Sequence, residues 1–166
     1  MRTIDEIRYL MDEAFSGVGI EDTNESQSLL ANLATVGDPE WSVVPPGGRR
    51  TIASVAVHVG SCKVMYDDYA FGSASLSWND PSVEPWTGEA APRLETLDWL
   101  VGTHSRLMEH VAALHDDLGT RRPTNWGEMR ETRWLLSTLL GHDAYHAGEI
   151  NHLRALLSGD DGWRWG

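Results

Sequence analysis

The chain contains a single cysteine, Cys62, so no disulfide can form within it and nothing points to an oxidising compartment. No apolar run approaches the roughly 18 residues that a bilayer span requires. The N-terminal stretch MRTIDEIRYLMDEAF is charged and amphipathic, without the apolar centre of a secretion signal. Basic residues are scarce: 13 Lys and Arg stand against 25 Asp and Glu, a formal net charge of −12. That balance argues against nucleic acid, whose binding rests on neutralising phosphates, and against an anionic membrane surface. The expectation is a cytoplasmic protein with neither partner. Internal repeats and low-complexity segments are also lacking.

With 166 residues, one domain covering 1–166 is expected. A chain of this length buries roughly 70% of its unfolded surface without staples. Tryptophan is abundant, at eight residues. Trp78, Trp86, Trp126, Trp163 and Trp165 fall in segments read as loops or tail, where a large ring needs a surface to cover.

Four long or medium apolar stripes read as helices. Residues 3–15 carry Ile4, Ile7, Leu10, Met11 and Phe15 at helical spacing, with Thr3 as a cap; a shorter piece follows at about 25–36. The segment 38–50, with three prolines and two glycines, predicts a loop without helix. Thr51 caps a helix over about 51–70, whose face is Val55, His58, Cys62, Met65 and Tyr69. The segment 72–92 is long for a plain connection and suggests a lid or disorder. A helix over about 92–118 presents Leu97, Leu100, His104, Leu107, Met108, Val111 and Leu118. Residues 119–128 turn the chain, and a last helix over about 129–157 stops at Ser158-Gly159. Together these predict an all-α four-helix bundle with long connections.

On the last helix, Leu135, Leu139, His142, His146, Glu149, Leu153 and Leu157 lie within about 80° on a helical wheel. Two histidines and a carboxylate thus occupy the middle of an apolar stripe. Burying ionisable groups without partners is costly, and a shared metal ion explains all three. Side chains at i and i+4 converge, so His142 and His146 can meet one cation, with His58 from the second long helix as third ligand. Three histidines leave open positions, the pattern of a catalytic metal. Cys62, one turn after His58, is a soft fourth ligand or a small buried hydrophobe. Glu149 is a ligand, an acceptor for an imidazole N–H, or a general base. His104 and His115 sit at the edge of their stripe as boundary residues or partners of a ligand; His110 faces solvent, and His152 is a weak candidate. Arg154 lies off the stripe.

The segments SLLANLATVGDPEW, PPGGRRTIASVAVHVG and YDDYAFG, followed by LLGHDAYHAGEINHLRALLSG, resemble the DinB/YfiT-like family of metal-binding four-helix bundles. The resemblance covers roughly residues 5–158, and its most specific part is the H-x3-H-x-G-E-I-x-x-L-R run. It implies an up-down-down-up bundle with a long crossover, a divalent zinc or nickel ion on His58, His142 and His146, and often a homodimer. It further implies chemistry on a small-molecule substrate, in some relatives S-transfer or isomerisation with mycothiol or bacillithiol, in others hydrolysis. In the maleylpyruvate isomerase branch the last-helix pair is Glu and His, and His142 departs from it. The reading that results is a metal-dependent thiol S-transferase with Glu149 or a metal-bound water as proton acceptor. Its alternatives are a hydrolase at the same site and a non-catalytic metal- or small-molecule-binding bundle.

Overall fold

The computed structural model describes residues 2–17, 28–86, 90–115 and 118–159. Among them the elements run α1 (Thr3–Ser16), α2 (Leu29–Ala34), α3 (Asp38–Trp41), α4 (Ile52–Phe71), α5 (Arg93–Ala112), β1 (Arg121–Pro123), β2 (Met129–Glu131) and α6 (Thr132–Ser158). The four long helices α1, α4, α5 and α6 form the expected bundle.

Cross-helix contacts give its directions. Arg2 reaches the Leu114 carbonyl and Asp12 meets His104, so α1 and α5 are antiparallel. Gly60 packs on Trp99, Lys63 meets His104 and Asp67 meets His110, so α4 and α5 run parallel. His58 lies against His146 and Lys63 against Asp143, so α4 and α6 are antiparallel. The order is up-down-down-up. Parallel neighbours cannot be joined by a tight turn, which is why the long segment 72–92 separates α4 from α5. That segment is well tied where it is described: Asp68 accepts the N–H groups of Ser73, Ser75 and Leu76, and the carbonyl of the fully buried Val83 accepts the Ser61 hydroxyl at 2.7 Å.

Several boundaries differ from the sequence reading, each for a local reason. Thr51 caps α4 as expected, its hydroxyl accepting the Ser54 N–H at 3.0 Å. Thr3, by contrast, is already helical; Arg2 is the cap, and Asp5 accepts its N–H at 3.2 Å. Residues Asp38–Trp41 make one helical turn inside the segment read as pure loop. Pro39 sits at the start of that turn, where a missing N–H is harmless, and Glu40 accepts the Gly37 N–H at 2.8 Å. α5 ends at Ala112, so Leu118 is not on its stripe; the Leu118 carbonyl instead accepts the Arg133 N–H. Residues 129–131 are a strand: β1 and β2 pair with Arg121 opposite Glu131 and Pro123 opposite Met129, and Gly127 takes the left-handed turn conformation at φ 85°. α6 stops at Gly159, φ 72°, as the sequence predicts. Residues 25–27 of the predicted second piece, and Trp163 and Trp165, lie outside the described residues.

The apolar core falls into two clusters. One gathers Phe15, Leu29, Leu33, Ile52, Val59, Leu100, Ala147 and Ile150; the other gathers Ile4, Met11, Leu107, Val111, Leu136 and Leu139. Between them on every long helix stands a polar residue: Asp12, Lys63, His104 and Asp143. Lys63 is completely buried, its ammonium 2.6 Å from Asp143 Oδ2, 3.3 Å from His104 Nδ1 and 4.9 Å from the centre of the Phe15 ring. None of the described helices is long and apolar enough to cross a membrane.

Removing one half of the Lys63–Asp143 pair strands the other charge in the core. Lys63→Met or Asp143→Ala should each cost about 3–5 kcal/mol in urea unfolding, and Lys63→Met combined with Asp143→Leu should restore most of it. A double variant as unstable as the singles would show that neighbours other than the pair dominate. Gly60→Ala tests the α4–α5 contact, because a Cβ there would lie 2.2 Å from the Trp99 ring. A loss of about 1–3 kcal/mol is expected, with altered near-UV tryptophan dichroism.

Candidate metal centre

α4 contributes His58 and, one turn later, Cys62; α6 contributes His142, His146 and Glu149. Antiparallel packing brings the imidazoles together. His142 Nε2 lies 3.2 Å from His58 Nε2 and 3.1 Å from His146 Nε2. The His58 and His146 rings are 5.0 Å apart, edge to face. Two N–H groups cannot point at each other over such distances, so at each contact at least one of the two nitrogens presents a lone pair. A tetrahedral set of nitrogens at 2.0–2.1 Å from zinc would be spaced by about 3.3 Å, close to the two separations at His142.

Glu149 stands behind His146. Its Oε2 accepts the His146 Nδ1–H at 2.6 Å, the tautomer that frees Nε2, and Arg50 donates to its Oε1 at 3.1 Å. A carboxylate on the far nitrogen is the usual way a metal-binding histidine is oriented. His142 Nδ1 is buried and without a hydrogen bond. Cys62 Sγ lies 3.8 Å from His58 Nε2, and the ligand atoms of His58, Cys62 and His142 all fall within 4.8 Å of one another. This His/Cys/His group is compatible with metal binding, and the sulfur adds a donor that soft cations accept.

Electrostatics keep the rings neutral. Burial, then the neighbouring His146 and His58, lowers His142 to about 3. His58 is lowered by burial and then by His146. His146 is also lowered by burial, against the opposing pull of Glu149. Neutral imidazole is the form that ligates a metal. Burial pushes the Cys62 thiol up to about 11.

The remaining histidines lie elsewhere. His104, read as a stripe-edge residue, is buried at 5% exposure on the α1 side, stacked on Phe15 at 3.8 Å with its Nε2 3.2 Å from Asp12. It touches none of the three converging rings. His110 is exposed as expected and meets Asp67 at 2.7 Å; His115 and His152 are also exposed. Arg154 is buried and donates to Asn151. The sequence reading passed over Lys63, Asp143 and Arg50. One signal was available: Lys63 is the only lysine of the chain, set in its most apolar helix.

Residues 22–150 match the DinB superfamily, and the chain belongs to it. The match spans all four of His58, His142, His146 and Glu149. No curated protein matches the chain.

Because His104 is lowered from 6.5 to about 2 by burial and by Lys63, the unfolded chain takes up a proton below 6.5 that the folded chain refuses. Stability should therefore be level above about pH 6.5 and fall as pH drops below it, by at most about 1.4 kcal/mol per pH unit for each such ring. His58, His142 and His146 act in the same direction. In urea titrations from pH 7.5 to 4.5, His104→Gln should flatten this slope; an unaltered slope would place the proton uptake on other groups.

Proposed function

We propose that the chain is a divalent-metal-dependent enzyme of the thiol S-transferase type, joining a low-molecular-weight thiol such as mycothiol or bacillithiol to a small electrophile. The observation that carries this reading is His142 Nε2 lying 3.2 Å from His58 Nε2 on the facing helix and 3.1 Å from His146 Nε2 on its own. His58, His142 and His146 would hold the ion, with zinc or nickel suited to three imidazoles. When bound, such a cation supplies Lewis acidity, lowering the pKa of a thiol brought to it. Three protein ligands leave further positions for that thiol.

The chain's own residues prepare the site. Glu149 fixes the His146 tautomer, and Arg50 fixes Glu149. With one oxygen on the His146 Nδ1–H and the other on Arg50, Glu149 is assigned to positioning. The buried α4–α6 seam excludes water from the backs of the rings. Hydrolysis is the variant in which water takes the place of the thiol.

A second reading rests on Cys62. Its sulfur, 3.8 Å from His58 Nε2, could close the shell and make the ion structural in a non-catalytic bundle.

Metal content by mass spectrometry of tag-free protein decides first. About one zinc or nickel per chain is expected, lost in His58→Ala, His142→Ala and His146→Ala while helical dichroism persists. Glu149→Gln should weaken metal affinity about 10- to 100-fold. Folded wild type that refuses both metals would sink the proposal. Cys62→Ser should leave metal content intact; loss of metal would favour the closed site. With metal established, thiol-dependent consumption of chlorodinitrobenzene that EDTA abolishes is the expected activity.

A further inference from the structure

Across the bundle from the α4–α6 seam, α1 and α5 enclose a cleft of about 340 Å³. Ligand sites span roughly 300–1,000 Å³, so this one suits a very small molecule. Asp12 and His104 meet in it at 3.2 Å, and Arg8 and Met108, each one turn away on its own helix, also line it. His104 and Met108 are buried and make the floor; Ser105 and Glu109 are exposed and stand at the rim.

The charged groups of the cleft are held apart with bonding capacity to spare. Arg8 forms no hydrogen bond or ion pair among the described residues, and its Nε is buried. Asp12 uses Oδ1 on His104 and leaves Oδ2 without a hydrogen bond among those residues. Opposite charges one helical turn apart usually close on each other, yet Arg8 and Asp12 do not pair. His104 gives the reason. Its Nδ1 lies 3.3 Å from the Lys63 ammonium, which only donates, so Nδ1 accepts and Nε2 carries the hydrogen that Asp12 receives. The fully buried Lys63 thus fixes the Asp12 carboxylate through the His104 ring. Burial pushes the Asp12 carboxyl above its usual range, against the pull of Arg8 and Lys63, so a further positive group beside it is favoured. A simple anion in the cleft would meet Arg8 but face Asp12 and Glu109. A simple cation would meet those carboxylates but face Arg8. A molecule carrying both charges satisfies both walls.

We propose that this cleft binds a small zwitterion, a free α-amino acid with an aliphatic side chain. Its carboxylate takes the unused donors of Arg8, its ammonium takes Asp12 Oδ2 with Glu109 beside it, and its side chain lies on Met108. The site is separate from the three histidines and does not depend on the reading of that centre.

Amide NMR spectra of the full chain test it, with L-alanine, L-valine, L-leucine and L-methionine as probes. At least one should give saturable shifts at Asp12, Ser105 and Glu109, with a Kd below about 1 mM. The same molecule without its amine, and the same molecule without its carboxylate, should each bind at least about tenfold more weakly. Arg8→Gln and Asp12→Asn should each weaken the amino acid by a similar factor; Asn keeps an oxygen for the His104 N–H. The analogue series is read on the wild type and stands whether or not a variant folds. His142→Ala should leave binding unchanged, which separates the cleft from chelation at the histidines. No saturable shift from any of these amino acids up to about 10 mM would overturn the proposal. So would a lone amine or carboxylate that binds as tightly as the amino acid, binding that both cleft variants retain, or shifts confined to α6 around His142.

Discussion

One buried ion pair governs how this bundle goes together. Lys63 and Asp143 carry opposite charges into the interior, where each would be severely destabilising alone. Their 2.6 Å contact sets the level at which α4 meets α6. The neighbours of the pair are the residues of the candidate centre: Lys63 follows Cys62, and Asp143 follows His142. A slip of one turn between the helices would separate the charges by about 5–6 Å and pull His58 away from His142 by the same step. The register that satisfies the charges is therefore the register that assembles the imidazoles. The same layer, completed by His104 and Asp12, divides the core into two apolar halves and confines any sliding to what each half tolerates.

The imidazoles impose a second constraint. Three rings with nitrogen facing nitrogen cannot all be protonated, and burial makes even one proton unfavourable there. Such an arrangement is stable as a neutral group around an electron-poor centre, and Glu149 with Arg50 biases one ring toward that state from behind. Cys62 stands at the edge of this arrangement. Its thiol keeps a proton through burial unless a cation displaces it, so the sulfur is the element on which the open and closed readings diverge.

Much of this was legible in the sequence, and the limits have physical causes. The helical stripes carried the four long helices. The interruption of two of those stripes by His58, His142 and His146 pointed to three rings that the structure brings within contact. Direction and level were not legible, because periodicity says which face is buried but not what it meets. Lys63 shows the gap: a periodic reading treats a lone lysine beside a cysteine as a side chain reaching solvent, whereas α4 is surrounded. Its being the only lysine among 13 basic residues is the hint that was available. The β1–β2 hairpin was missed because three-residue strands rich in Arg have no alternation to detect. α3 was missed because Pro39 was read as a breaker where it is an acceptable starter. For Glu149 the wheel gave the right face, but its choice among ligand, orienting acceptor and base depends on which nitrogen of His146 it meets.

Up-down-down-up topology gives the two sides of α4 different uses. Toward α5 the helices are parallel, so contacts advance together: Gly60 with Trp99, Lys63 with His104, Asp67 with His110. That seam is filled, to the point that Gly60 has no room for a methyl group. Toward α6 the helices are antiparallel, so residue numbers along the seam run in opposite senses and every level pairs a later α4 position with an earlier α6 position. Starting from His58 and His142, the seam passes Cys62 and Thr138 and reaches Tyr66 and Trp134, where the hairpin that opens α6 must lie. Trp126 is carried to the end of the seam by the same connection that delivers the chain into α6. The polar centre and the contacts of Trp126 with Tyr66 and Trp134 are thus consequences of one helix register, and a substitution that shifts that register would displace both.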